Sequence, residues 1–132
     1  MSNAWIDPGL KAAASTPIAP PPLDGLVIRM GVLDYTVRVE RDVRSSDDAK
    51  LYGEIRYGAG TIRVDADITP AFQAVVLWHE LVHGLLEQAG QEQSEATCNS
   101  IAFGVVQLLR DNPNLAALTV ATLTPKDNHG TE

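Results

Sequence analysis

The chain has 132 residues, 45% of them apolar and 20% charged, which allows one domain with a core of its own. Ten basic against seventeen acidic side chains give a net charge of −7, so clustered Lys and Arg for nucleic acid or an anionic membrane are lacking. The single cysteine, Cys98, excludes an intrachain disulfide; with no secretory signal and no apolar run near the ~20 residues that span a bilayer, a cytoplasmic protein is expected.

Five of the eight prolines precede Leu23, and prolines at that density favour an extended, solvated chain. Residues 1–24 therefore read as a Pro/Ala-rich disordered tail, 25–122 as a single domain, and 123–132 as a flexible polar tail.

From 25 to 66 the hydrophobic period is two. Residues 26–30 and 35–40 are strand candidates, and 51–57 with 61–65 form a second pair joined by Gly58-Ala59-Gly60. Those glycines supply the positive φ of a tight hairpin. The polar stretch 41–50 reads as a long loop. A small, mostly antiparallel sheet of three or four strands is expected.

The period then becomes 3.6. Thr69-Pro70 is a helix start, with an N-cap followed by proline at the first helical position. Phe72, Val75, Val76, His79, Val82, His83 and Leu86 share one face, while Leu77, Trp78, Leu81 and Leu85 make the other side apolar too. Such a helix is central to the fold, and it should end near Gly90. A second helix starts about Ser94, turns Cys98, Ile101, Ala102, Val105, Leu108 and Leu109 inward, and stops at Asn112-Pro113. Asn112 is then a candidate cap for a short last helix over 115–120. The fold class is α+β, the sheet packed on a central helix and a second helix.

The central helix carries His79-Glu80-Leu81-Val82-His83, an H-E-x-x-H motif. A four-residue step stacks the two imidazoles on one side of a helix, where they can reach one zinc ion at ~2.0–2.1 Å. Glu80 is rotated about 100° from His79, beside the metal, where it can serve as general base. Two buried neutral histidines in a structural helix are the bland alternative. That reading buries the intervening carboxylate without a cation, at several kcal/mol.

A catalytic zinc needs a third protein ligand and one open position. The donors within reach are Asp65, Asp67, Glu87, Glu92, Glu95, Cys98 and His129. Glu87 lies about 40° off the histidine axis and reads as a solvated surface charge. Glu95 opens the inward face of the second helix, with Glu92 as the fallback. Cys98 reads as a small buried hydrophobe. An extended peptide substrate is expected to pair along the strand 61–65, with Arg63 as a candidate contact. Tyr35, Tyr52, Tyr57 and His129 are candidate oxyanion donors, and Tyr57 is also a candidate substrate contact.

The segment 61–65, the motif 78–83 and the run Glu95-x-x-Cys98-Asn99-x-Ile101-Ala102 together resemble the ImmA/IrrE-type metallopeptidases. The likeness is closest to the minimal members of phages and mobile elements, and it spans roughly 25–112. That resemblance implies a zincin-like, gluzincin-type fold and a zinc metallopeptidase. It makes His79, His83 and Glu95 the metal ligands and Glu80 the catalytic base. A peptide or protein is the substrate, with no nucleic-acid or membrane partner. The alternative is a metal-binding phage-type protein that docks a partner without cleaving it.

Overall fold

The computed structural model describes residues 22–125. Four strands, β1 (Val27–Met30), β2 (Leu33–Glu40), β3 (Gly53–Arg56) and β4 (Thr61–Asp65), precede three helices, α1 (Pro70–Gln88), α2 (Glu95–Asp111) and α3 (Pro113–Leu123). The fold is α+β. Most of the proposed tails, 1–21 and 126–132, lies outside the described residues. The folded part begins before residue 25, because Leu23 packs on the core and Asp24 accepts a hydrogen bond from the Val39 N–H at 2.8 Å. At the other end α3 runs through Leu123.

The sheet order is β1-β2-β4-β3. β1 with β2 and β3 with β4 are antiparallel, but the central pair β2/β4 is parallel, in register from Thr36 opposite Thr61 to Glu40 opposite Asp65. The sheet is thus mixed, where a mostly antiparallel one was expected. Each hairpin closes locally, and the long connection from 41 to 52 carries the chain across so that β4 lands inside the sheet. In the 57–60 connection only Gly60 uses a positive φ, +64°.

Alternation decides the two faces. Tyr35, Val37, Ile62 and Val64 are fully or almost fully buried and make the core with Met30, Val76 and Leu81. α1 lies across this face. Its N-cap Thr69 accepts from the Phe72 N–H at 3.2 Å, and two glutamines anchor its ends. Gln73 donates to the Asp65 carbonyl at 3.0 Å, and Gln88 donates to the Met30 carbonyl at 2.6 Å.

Two glycines set how closely α1 approaches. A Cβ on Gly53 would come within 2.4 Å of Val76 Cγ1 and 3.3 Å of Glu80 Oε2. One on Gly84 would meet Met30 Cε at 2.7 Å. Real side chains do not tolerate such contacts without backbone shifts. The helix therefore sits down on β3 at the level of the H-E-x-x-H residues.

Ser94 caps α2 through the Thr97 N–H at 3.1 Å. Only Cys98 and Ala102 are buried on α2. Ile101 and Leu108, expected inward, are 41% and 55% exposed: α1 packs on the narrow Cys98–Ala102 stripe, and α3 covers the far half of the helix, around Val105, Leu108 and Leu109, only in part. Asn112 does not cap α3 with its side chain. Its Nδ2 turns back to the Leu108 carbonyl at 3.0 Å, which satisfies the end of α2 instead. α3 buries no residue, and no charged side chain occurs from 112 to 125. Among the described residues no helix is long and apolar enough to cross a membrane.

Candidate metal centre

His79 and His83 lie one turn apart on α1. Their rings meet edge to face with centroids 4.7 Å apart, and their Nε2 atoms are 3.1 Å apart. The chain leaves α1 through Gly90 at φ +67°, with the Gln91 N–H returning to the Leu86 carbonyl at 2.9 Å. That turn brings the first residue of α2 back over the histidines. Glu95 Oε1 stands 3.0 Å from His79 Nε2, and Glu95 Oε2 stands 2.9 Å from His83 Nε2.

His79, His83 and Glu95 form a group able to hold a metal ion, their ligand atoms all within 4.8 Å of one another. Edges near 3 Å are what donors ~2.0–2.1 Å from a shared ion span. The donor chemistry fits as well. Two imidazole nitrogens and a carboxylate packed this tightly need a cation among them, a proton or a metal. Both imidazole side chains are 13% exposed while that of Glu95 is 75% exposed, so the solvent side stays open for a further ligand. Among the described residues His79 Nδ1 is buried without a hydrogen-bond partner.

Glu80 is the buried acid beside this group, at 7% exposure. Burial pushes its pKa up to about 7. The charges of Glu95 and Glu54 act in the same direction, while His83 and a backbone hydrogen bond from Ile55 oppose the shift. A carboxyl that titrates near neutrality can both take up and release a proton there.

Glu80, His79 and Glu95 line a cleft beside β3. One lobe, of about 430 Å³, is walled by Tyr52, Phe72, Val75, Val76 and Phe103. Tyr52 and Phe72 stack edge to face there, with centroids 5.1 Å apart. The cleft continues past His79 and Glu95 along Ile55, Tyr57 and His83.

Several anticipated residues are placed elsewhere. Strand 61–65 is β4, hydrogen-bonded on both sides by β2 and β3, so it has no edge to offer a peptide. Among the described residues the free edge at the site belongs to β3. Arg63 points to the sheet face away from α1, where its Nε donates to Glu54 at 3.1 Å and its Nη2 to Glu54 and to the Arg44 carbonyl. It does not line the cleft.

Asp65 is buried and bound by Lys50 at 2.9 Å, and Asp67 faces Arg41 at 3.8 Å. Glu92 is exposed and outside the cluster. Cys98 is buried and is not among the metal-binding group. Burial raises its thiol pKa, with the charges of Glu95 and Glu80 adding to the effect. Of the tyrosines, Tyr35 belongs to the core and Tyr52 lines the cleft. The Tyr57 hydroxyl donates to Gln93 Oε1 at 3.2 Å. His129 lies outside the described residues.

Sequence reasoning missed Gln93. Its Oε1 lies 2.8 Å from His83 Nδ1, and its Nε2 donates to Glu87 Oε1 at 2.6 Å. Glu87 is therefore engaged with the site's support and is more than a solvated charge. Nothing in the run Gln91-Glu92-Gln93 marks the third residue, since a polar interhelical segment carries no periodicity.

Comparison of the chain with protein-family models, with curated proteins and with solved structures gives no match in any of the three.

Proposed function

We propose that the chain is a zinc metallopeptidase of the minimal ImmA/IrrE type, gluzincin-like in its ligand set, that hydrolyses peptide bonds in extended segments. The observation that carries this reading is the convergence of His79, His83 and Glu95 beside a buried Glu80, in a cleft that runs along a free strand edge. His79 and His83 through Nε2, and Glu95 through its carboxylate, would hold the ion. A zinc ion bound there supplies Lewis acidity, which acidifies water and polarises the scissile carbonyl.

The remaining work falls to the chain itself. Glu80 accepts the water proton and delivers it to the departing amine, a role for which a pKa near 7 suits it. The β3 edge offers main-chain donors and acceptors to an extended substrate, which gives affinity with little sequence preference. The lobe between Tyr52, Phe72, Val75 and Phe103 accepts a large apolar side chain of that substrate. Of the two candidate oxyanion donors that border the cleft, Tyr52 and Tyr57, the Tyr57 hydroxyl is already donated to Gln93, which leaves Tyr52.

The test uses the full chain loaded with zinc, assayed on a library of unstructured peptides. Near-stoichiometric zinc and cleavage beside bulky apolar residues are expected, and Glu80→Gln should lower turnover by roughly 10²–10⁴-fold. A protein that neither holds nor takes up zinc would sink the reading. The alternative, a metal-bearing docking module, draws support from the exposed Leu118, Val120 and Leu123 on α3. Under that reading Glu80→Gln leaves partner affinity unchanged and no peptide is cut.

A further inference from the structure

We infer that Gln93 is a positioning residue that sets the tautomer of His83 and keeps its Nε2 lone pair available to a metal. The inference rests on the metal-centre reading above and adds a residue to it. It follows from hydrogen-bond polarity. The Glu87 carboxylate only accepts, so the Gln93 group 2.6 Å from Glu87 Oε1 must be its amide NH₂. That fixes the direction of the whole amide. Its oxygen must then face His83 Nδ1 at 2.8 Å, and the Tyr57 hydroxyl reinforces this by donating to the same oxygen at 3.2 Å. An acceptor opposite Nδ1 places the proton on Nδ1, and a neutral imidazole with Nδ1–H has a bare Nε2.

Glu95 makes this device necessary. Its Oε2 stands 2.9 Å from His83 Nε2, and without Gln93 the carboxylate draws the single imidazole proton to Nε2, where it blocks the ligand position. Glu87, Gln93 and Tyr57 thus act as a relay that holds one ring in its ligating form. Among the described residues His79 has no such partner, since its Nδ1 is buried and unpaired. The two ligand imidazoles are unequal, and His83 is the one prepared in advance. Outer hydrogen-bond partners of metal-bound histidines change affinity by roughly 10–100-fold when removed.

The experiment compares the full-length wild type with Gln93→Met and with the exchanged pair Glu87→Gln/Gln93→Glu. The first variant keeps the side chain's length without its amide; the second reverses the relay and leaves an acceptor facing His83. Two readouts are taken. Nitrogen-15 spectra of the histidine rings, recorded on zinc-free protein at pH 8, report the tautomer. Chelator competition reports the zinc dissociation constant. In wild type, His83 should carry its proton on Nδ1; in Gln93→Met the proton should move to Nε2 and zinc affinity should fall by roughly 10–100-fold.

The exchanged pair should restore both. An Nε2–H tautomer in the wild type, or a Gln93→Met protein unchanged in both readouts, overturns the inference. If the wild type takes up no zinc, the metallopeptidase reading fails, yet the ring spectra still decide what Gln93 does.

Discussion

Replacing Glu80 by Gln should make the zinc-free protein more stable, by an amount that depends on pH in a defined way. The Glu80 carboxyl moves from an ordinary value of 4.5 to about 7 in the fold, chiefly because it is buried. Below pH 4.5 the group is neutral in both the folded and the unfolded chain, and no cost arises. Between those values the unfolded chain ionises while the folded one does not, so wild-type stability falls by about 1.4 kcal/mol per pH unit. Above pH 7 both forms are ionised and the accumulated penalty is constant, at about 3 kcal/mol.

Gln never ionises and escapes this loss. Urea unfolding with a chelator present should show near-equal midpoints at pH 4. At pH 8 the Gln variant should unfold at a midpoint higher by roughly 1–3 M, taking the usual urea slope for a small domain. Added zinc should narrow the gap, because a cation at the histidines favours the ionised carboxylate. Equal stabilities at pH 8 in chelator would refute the view that this acid is held against its preference for the sake of chemistry.

Gly53→Ala should cost about 1–3 kcal/mol in the same assay, since the added methyl meets Val76 Cγ1 at 2.4 Å, and it should shift the Glu80 carboxylate that lies 3.3 Å away. Arg63→Ala should leave kcat/KM within about threefold while lowering the melting temperature, because the guanidinium serves Glu54 and the Arg44 carbonyl and not the cleft. A large loss of kcat/KM would put it back among substrate contacts. Asp65 is held below its usual pKa, first by the hydrogen bond from Lys50 and then by the Asp67 N–H. Its contribution is therefore present above the ordinary aspartate pKa of ~3.9 and lost as pH falls through its depressed folded value. Asp65→Asn should be destabilised at pH 7, and the difference from wild type should shrink as the pH falls through the depressed value of the folded carboxyl, as read by chemical denaturation.

Much of the helical half was legible in the chain. Thr69-Pro70, Ser94 and Asn112-Pro113 are local stop and start signals, and the observed helices Pro70–Gln88, Glu95–Asp111 and Pro113–Leu123 obey them within a few residues. The stacking of His79 over His83 is likewise local, a property of helical rise and turn. Glu95 was reachable because it opens the helical face that continues through Cys98 and Ala102, although an acid in the first turn also suits the helix dipole.

The sheet was less legible. Period-two alternation identifies strands but does not say which neighbours pair, and nothing in the polar loop 41–52 announces that β4 enters between β2 and β3. That one topological fact moves the free edge from residues 61–65 to Gly53–Arg56 and turns Arg63 away from the site. Burial on α2 was overread for a related reason. Ile101 and Leu108 have apolar side chains, but full burial stops at Cys98 and Ala102, because α3 covers the rest of that helix only in part.

The uncharged flank formed by α3 has a consequence for how the protein behaves in solution. Leu118, Val120 and Leu123 stay 64%, 65% and 75% open to water, on a molecule that otherwise carries a net charge of −7. At low ionic strength the like charges of two molecules keep these oily surfaces apart; at 1 M salt the repulsion reaches only about 3 Å. Salt that is excluded from protein surfaces also strengthens apolar contact. Concentrated sulfate should therefore drive these molecules together and dilute buffer should disperse them, the reverse of an assembly held by ion pairs.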